Sequence, residues 1–569
     1  MGMTEDGRDV DHRTDGPVRR SHRMRYVAVA LVACLGTACA TSEDSAPERR
    51  ALGRVATSDD GMVVSGSEPA TRVGAHVLDA GGNAVDAAVA TAFALAVVEP
   101  TQSGLGGRTQ ALVWRPDGTA LGIDATNEVP ASYDPEVAEE VEDGYGVIAI
   151  PGTVAGLARL HDTAGSLPLA ELIAPAIELA ERGFPLSEGE ARRLSAIRER
   201  LLRSPAARAT FLAPGGTTYA PGDTLRQPVL AEVLRAIALE GPRVFYEGWI
   251  AEHMVADFVE HGGYVTAADL SSYQAQESIV VEGRFGALQL VGTYIPASGA
   301  TTIGALQTLD RIGLADLEPD RRAFAVGQAL TAAYADRETA WNDARPPAED
   351  AAWITSAELA SERAREIASS SLEAPSTDDR LESPNTTHVS VVDADGMAVA
   401  MTQSLGPTGG SRVATEGLGF LHATSLGGYL GHVEAGDRPW SSQSPLIALR
   451  AGRPAYVMGG AGARRIISAL VRTVVRMEVE GMSAAEAIDA PRLHPAASAW
   501  RLESTTGSDG DPPGAALARQ AGHETRVLPI DYYFARLNVI AVDPDSGMLT
   551  GVADPRWAWG AASGPVGAR

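Results

Sequence analysis

The stretch VSVVDADGMAVAMTQS, residues 389–404, places two β-branched runs on either side of Asp395-Gly396, a strong signal for a tight β-hairpin. Directly before it, residues 369–385, SSSLEAPSTDDRLESPN, are polar, carry two prolines and read as an exposed loop. Any fold adopted by this chain must therefore set Thr386-Thr387-His388, the head of a strand, at the end of an exposed segment. A threonine becomes a competent nucleophile if the peptide bond before it is cut, because its freed α-amine can act as base towards its own hydroxyl. Threonine is also favoured in strands, so the Thr-Thr pair alone is weak evidence and reads first as a plain strand.

Other chemistries are excluded more firmly. All 47 basic residues are arginine and there is no lysine, which removes Schiff-base, P-loop and Ser-Lys mechanisms. The 73 acidic residues leave a formal charge of −26, the wrong balance for neutralising nucleic-acid phosphates. No G-x-S-x-G elbow, H-E-x-x-H or dinucleotide-binding fingerprint is present, and the eleven histidines lack metal-ligand spacing. Neither a metal nor an organic cofactor is expected.

Arginines 19, 20, 23 and 25 precede an uncharged run, residues 26–40, with the layout of a secretory signal. It is too short for a spanning helix. Both cysteines lie in it, and the segments ending at Cys34 and Cys39 each resemble a bacterial lipobox. Cys39 follows the longer apolar stretch and is the expected acylated residue, with a plain cleaved signal as the alternative. Residues 1–39 are thus read as a signal segment and 40–56 as a flexible tether, placing the protein in the bacterial envelope or outside the cell. A chain without further cysteines has no disulfide framework and no thiol catalysis.

Beyond the tether, residues 81–98 are alanine-rich and apolar nearly all round, which predicts a buried helix with Asn83 near its start. Further helices are expected at 168–182, 226–240, 249–260, 323–341 and 464–479, and strands at 278–293, 455–458 and 537–542. Mixed order of this kind fits an α+β fold with helices packed on sheets.

Across nearly all of residues 60–560 the chain resembles the γ-glutamyltranspeptidase (γ-glutamyltransferase, glutathione hydrolase) family. The resemblance is carried by GMVVSGSEPATRVGAHVLDAGGNAVDAAVA (61–90), VVEPTQSGLGG (97–107), IPGTVAGLARL (150–160), LPLAELIAPAIELAERGFPLS (167–187), FYEGWIAEHMV (245–255), GGYVTAADLSSY (262–273), TTHVSVVDADGMAVAMTQSL (386–405), PWSSQSP (439–445), GGAGARRI (459–466) and ADPR (553–556). It implies the four-layer αββα sandwich of the N-terminal-nucleophile hydrolases and a precursor that cuts itself. Here the cut would fall between Asn385 and Thr386, giving a large subunit, 57–385, and a small subunit, 386–569, of 569 − 385 = 184 residues.

The resemblance also implies roles. Thr386 matches the nucleophile, Ser404 a hydroxyl that hydrogen-bonds it, Gly462 and Ala463 the oxyanion-hole pair, and Ser441 and Ser442 the serines that hold the substrate's α-carboxylate. Three positions depart from the family: Thr126 stands where an arginine pairs with that carboxylate, Gly428 where an aspartate binds the α-ammonium, and Gly406 where an asparagine follows the hairpin. Arg108, in Gly106-Gly107-Arg108, is the candidate replacement cation, with a structural ion pair as its other explanation. The short connection from Leu430 to Asp437 suggests a site open to bulky substrates and to water, so that hydrolysis outweighs transfer. The expected substrates are γ-glutamyl amides such as glutathione. The alternatives are an amidase or acylase for a non-γ-glutamyl amide, and an unprocessed envelope lipoprotein that only binds. The expected partners are therefore a small amide or peptide, the membrane through the lipid anchor alone, and the two subunits of one precursor.

Overall fold

The computed structural model describes residues 52–138, 141–342, 345–369, 385–496, 499–504, 510–530, 533–556 and 559–565. The signal segment, Cys34, Cys39, most of the tether and nearly all of the 369–385 loop lie outside the described residues.

The hairpin forms as read. Strand Thr387–Asp393 pairs with Ala398–Ser404 in antiparallel register, Thr387 opposite Gln403 and Val391 opposite Val399, and Gly396 supplies the left-handed turn residue at φ 85°. Both strands are buried along their whole length, because both faces are covered. Strand Gly61–Ser65 flanks the hairpin on one side and Arg108–Trp114 on the other, so strand Thr387–Asp393 sits in the middle of a sheet. Fourteen strands follow one another in a single antiparallel order, with Ala120–Ala125 handing over to Gln276–Phe285 between two runs of seven.

The two runs face each other. A shared apolar layer takes Met62, Val64, Leu112, Val392 and Ala400 from the first and Val291, Ile447, Val457 and Ile540 from the second. On the outer face of the first run, Val63, Val113, Val389, Val391 and Met401 pack under helices that include Glu68–Asp79, Ala84–Val98 and Leu169–Arg182. On the outer face of the second, Leu290, Ala448, Met458 and Val539 pack under Gly299–Ile312, Pro319–Asn342 and Arg465–Glu478. Each fully buried valine or leucine in these layers contributes about 1.5–3 kcal/mol.

Helix Ala84–Val98 is buried at every position, as its all-round apolar pattern requires, and Asn83 caps it by accepting the Val85 and Asp86 N–H groups. Small side chains let its neighbour approach: a Cβ on Gly74 would lie 2.2 Å from the Thr91 hydroxyl. The expected single strand at 278–293 is two strands, Gln276–Phe285 and Leu288–Tyr294, that turn at Gly286 with φ 55°. Helix Trp249–Glu260 matches its expected bounds.

Candidate active site

Period-two alternation turns Thr386, His388 and Ser390 to one face of the chain at strand Thr387–Asp393, towards the second run of strands. His388 is fully buried, with Nδ1 2.7 Å from the Thr402 hydroxyl and Nε2 3.1 Å from the Ser390 hydroxyl. Burial pulls its pKa down to about 3, so it is a neutral hydrogen-bonding spacer at ordinary pH. Gly459 on the facing strand gives it room, since a Cβ there would lie 2.1 Å from the imidazole.

Thr386 itself is buried, at 6% exposure, at the edge of a pocket. Its hydroxyl lies 2.8 Å from the carbonyl oxygen of Asn385, to which it donates, and 2.9 Å from the Ser404 hydroxyl. Ser404 also reaches the Asn385 carbonyl at 3.2 Å and accepts the Gly406 N–H at 2.9 Å. The side chain of Asn385 is held by the Thr408 hydroxyl. The Asn385 carbonyl and the Thr386 and Ser404 hydroxyls are thus gathered within one hydrogen-bonded cluster.

The strand Arg453–Ala461 ends beside them and turns into helix Arg465–Glu478 through Gly462 and Ala463. Gly462 sits at φ 147° with its α-carbon against Ala535, where a Cβ would be 2.5 Å from the Ala535 Cα, so only glycine fits. Ala463 keeps its N–H but holds φ at 56°, a left-handed angle that costs an alanine about 1 kcal/mol. The turn's carbonyls are taken up by the N–H groups of Arg465 and Ile466.

The pocket is about 40 Å³ and is lined by Thr386, Ser404, Arg108, Ser441, Ser442 and Ala463, together with Tyr429, Leu430, Trp440, Gln443 and Ile466. Sequence reasoning had singled out the first six; the remainder carry no local signal and arrive through packing. Arg108 is buried at 4% exposure and donates to the Ser425 hydroxyl at 3.4 Å, which in turn donates to Asn127 at 3.1 Å. Ser441 is pinned by the Pro296 carbonyl, which accepts its N–H at 2.8 Å, and by Ser298, which donates to its carbonyl at 2.6 Å. Among the described lining residues there is no carboxylate.

The three positions expected to depart from the family pattern each have a defined environment. Thr126 is turned into an inner network, accepting from Gln110 at 2.7 Å, and does not line the pocket. A different arginine reaches that region: Arg438 bridges Asp124 and Glu128, each at 3.0 Å. Gly428 holds φ 83°. At Gly406, φ 89°, a Cβ would lie 2.9 Å from the Thr424 carbonyl and 3.1 Å from the Tyr429 ring, so an asparagine has no room.

The openness expected from the short Leu430–Asp437 connection is not at Thr386, where Tyr429, Leu430 and Trp440 close a tight pocket. It lies on the other side of Trp440, in a cleft of about 560 Å³ that also takes in Trp341, Arg345 and Asp437. Among the described residues no cluster of metal-binding side chains occurs, and no helix is long and apolar enough to cross a membrane.

Comparison with known proteins agrees with this architecture. The Gamma-glutamyltranspeptidase family profile matches residues 70–564. The acylase ACY 1 proenzyme of Pseudomonas sp. strain V22 is 32% identical over 540 residues, covering 90% of this chain and 94% of that protein. The glutathione hydrolase proenzyme of Escherichia coli strain K12 is 31% identical over 534 residues, covering 87% and 90%. Among solved structures, a cephalosporin acylase from Bacillus halodurans superposes with a TM-score of 0.79 at 26% identity, covering 92% of this chain and 98% of that one. The chain therefore belongs to the γ-glutamyltranspeptidase family of amidohydrolases.

Proposed function

We propose that the chain is a precursor that cuts itself between Asn385 and Thr386 and then acts as an N-terminal-threonine amidohydrolase on acyl groups that carry a carboxylate but need no free amine. In the precursor the Thr386 hydroxyl attacks the Asn385 carbonyl carbon, the C–N bond breaks to leave an ester and free the Thr386 α-amine, and water then cleaves the ester, releasing the Asn385 carboxylate and restoring the Thr386 hydroxyl. In the mature enzyme that amine takes the hydroxyl proton as Thr386 attacks the substrate amide. The oxyanion develops in front of the Gly462 and Ala463 N–H groups, a contribution of about 3 kcal/mol per donor. The leaving amine takes the proton, and water or an acceptor amine then releases the acyl group from the threonine.

The observation that carries the reading is the Thr386 hydroxyl, 2.8 Å from the Asn385 carbonyl oxygen and 2.9 Å from Ser404, in a pocket lined by Arg108 and two serines and by no carboxylate. An arginine and hydroxyls suit an anion, whereas an α-ammonium would find no counter-charge there. Relatives named as proenzymes support the division into subunits 57–385 and 386–569, and three apolar layers between helices and facing strands support a four-layer αββα arrangement. Acylation of Cys39 would hold the enzyme at the outer face of a membrane.

A second reading, γ-glutamyl transfer and hydrolysis, is favoured by the retained Ser441-Ser442 pair and by the relatives named glutathione hydrolase. Kinetics on a glutaryl anilide and its γ-glutamyl counterpart separate the two. We expect kcat/KM on the glutaryl compound to equal or exceed that on the γ-glutamyl one; a preference of tenfold or more for the free amine would establish the second reading instead.

A further inference from the structure

Hydrogen-bond direction in the serine pair is fixed by its partners, and one of those partners lies far away in sequence. Arg337, on helix Pro319–Asn342, is buried at 6% exposure and places Nη1 3.3 Å from the Ser442 hydroxyl. Its guanidinium carbon stands 6.0 Å from the ring centre of Trp440, the aromatic wall of the pocket. A guanidinium has donors only and keeps its charge at every accessible pH. Ser442 must therefore accept in this contact. Ser441 is constrained in the same sense, because its hydroxyl oxygen accepts the Gln443 N–H at 3.2 Å. A hydroxyl whose oxygen is engaged by a donor has its own O–H left to give. Both serines line the pocket, so their O–H groups are available to an occupant of it.

We propose that Arg337 is a positioning residue that holds the Ser442 oxygen as an acceptor, so that Ser442 together with Ser441 gives its O–H to the two oxygens of the substrate's carboxylate. The inference rests on reading this pocket as the acyl pocket. Arg337 sets which acyl groups are bound, discriminating for an anionic end and against a cationic one, and takes no part in the chemistry at Thr386.

The test compares a glutaryl anilide with a butyryl anilide, which has no carboxylate, in the native enzyme, Arg337→Met and Arg337→Lys, with self-cleavage on a denaturing gel as the readout of correct folding. Arg337→Met is expected to raise KM for the glutaryl compound about 10- to 100-fold, as loss of a charged hydrogen-bonding partner implies. KM for the butyryl compound and kcat for both should stay within about twofold. Arg337→Lys should recover part of the loss, since it restores charge without the planar fork. If Arg337→Met fails to self-cleave, Arg337→Lys decides alone: a rise in KM confined to the glutaryl compound supports the role. An unchanged glutaryl KM, or equal losses on both compounds, overturns it. A native enzyme that does not prefer glutaryl over butyryl would instead overturn the acyl-pocket reading, before any substitution is made.

Discussion

Substituting Ser404 by alanine removes one oxygen from the centre of the cluster. That oxygen lies 2.9 Å from the Thr386 hydroxyl, 3.2 Å from the Asn385 carbonyl and 2.9 Å from the Gly406 N–H, which donates to it. Two effects follow. The Gly406 N–H loses a buried acceptor, a cost of about 1–3 kcal/mol to folding. The nucleophile loses its hydrogen-bonding partner while it attacks, worth about 1–2 kcal/mol of barrier, or roughly a 5- to 30-fold slower reaction. Self-cleavage reads the second effect without a substrate. A time course of full-length chain made by cell-free translation, resolved on a denaturing gel, should show Ser404→Ala maturing 5- to 30-fold more slowly. Ser404→Thr, which keeps the hydroxyl, should stay close to the native rate. If Ser404→Ala matures at the native rate, the contact at 2.9 Å has no part in positioning the nucleophile and the account of the cluster is wrong.

Arg108→Ala should raise KM about 10-fold or more for glutaryl and γ-glutamyl anilides and leave self-cleavage intact, because processing uses only Thr386 and its neighbours; unchanged KM on both removes Arg108 from the site. Cys39→Ser should move the protein from the membrane to the soluble fraction with unchanged activity per molecule, and release by Cys34→Ser instead would identify the other lipobox. An unfolded histidine takes up a proton near pH 6.5, whereas burial holds His388 and His422 down to about 3. The unfolded chain then binds more protons between those values, so stability falls as pH drops through that window, by up to about 1.4 kcal/mol per unit for each histidine. Thermal unfolding of the uncut chain at pH 7 and 5 should show the loss, and His422→Gln should lessen it; an identical loss in that variant would contradict the assignment.

Elements with a local signature were legible in the sequence. The hairpin declared itself through Asp395-Gly396, and the 84–98 helix through its Asn83 cap and its unbroken apolar surface. The turn at Gly286 was hidden, because Phe285, Ala287 and Leu288 continue the apolar pattern of the strands on either side. Helix Gly299–Ile312 was missed for the opposite reason: its glycines and threonines are weak helix formers, and burial of every residue from Gly299 to Leu309 holds it in place. The site divides along the same line. Thr386, Ser404, Ser441, Ser442 and Ala463 were found through their motifs and converge on one pocket, with Gly462 fixed by its contact with Ala535. Arg337 and Trp440 were not singled out, since a cation on a long helix and an aromatic beside two serines acquire a role only when packing brings them together.

The N-terminus of the small fragment tests the central claim most directly. Mass spectrometry of the purified mature protein should give a fragment of 184 residues, 386–569, whose first residue is Thr386, and Thr386→Ala should leave a single uncut chain. A native protein that stays whole while hydrolysing amides, or a Thr386→Ala chain still cut at this bond, would contradict it.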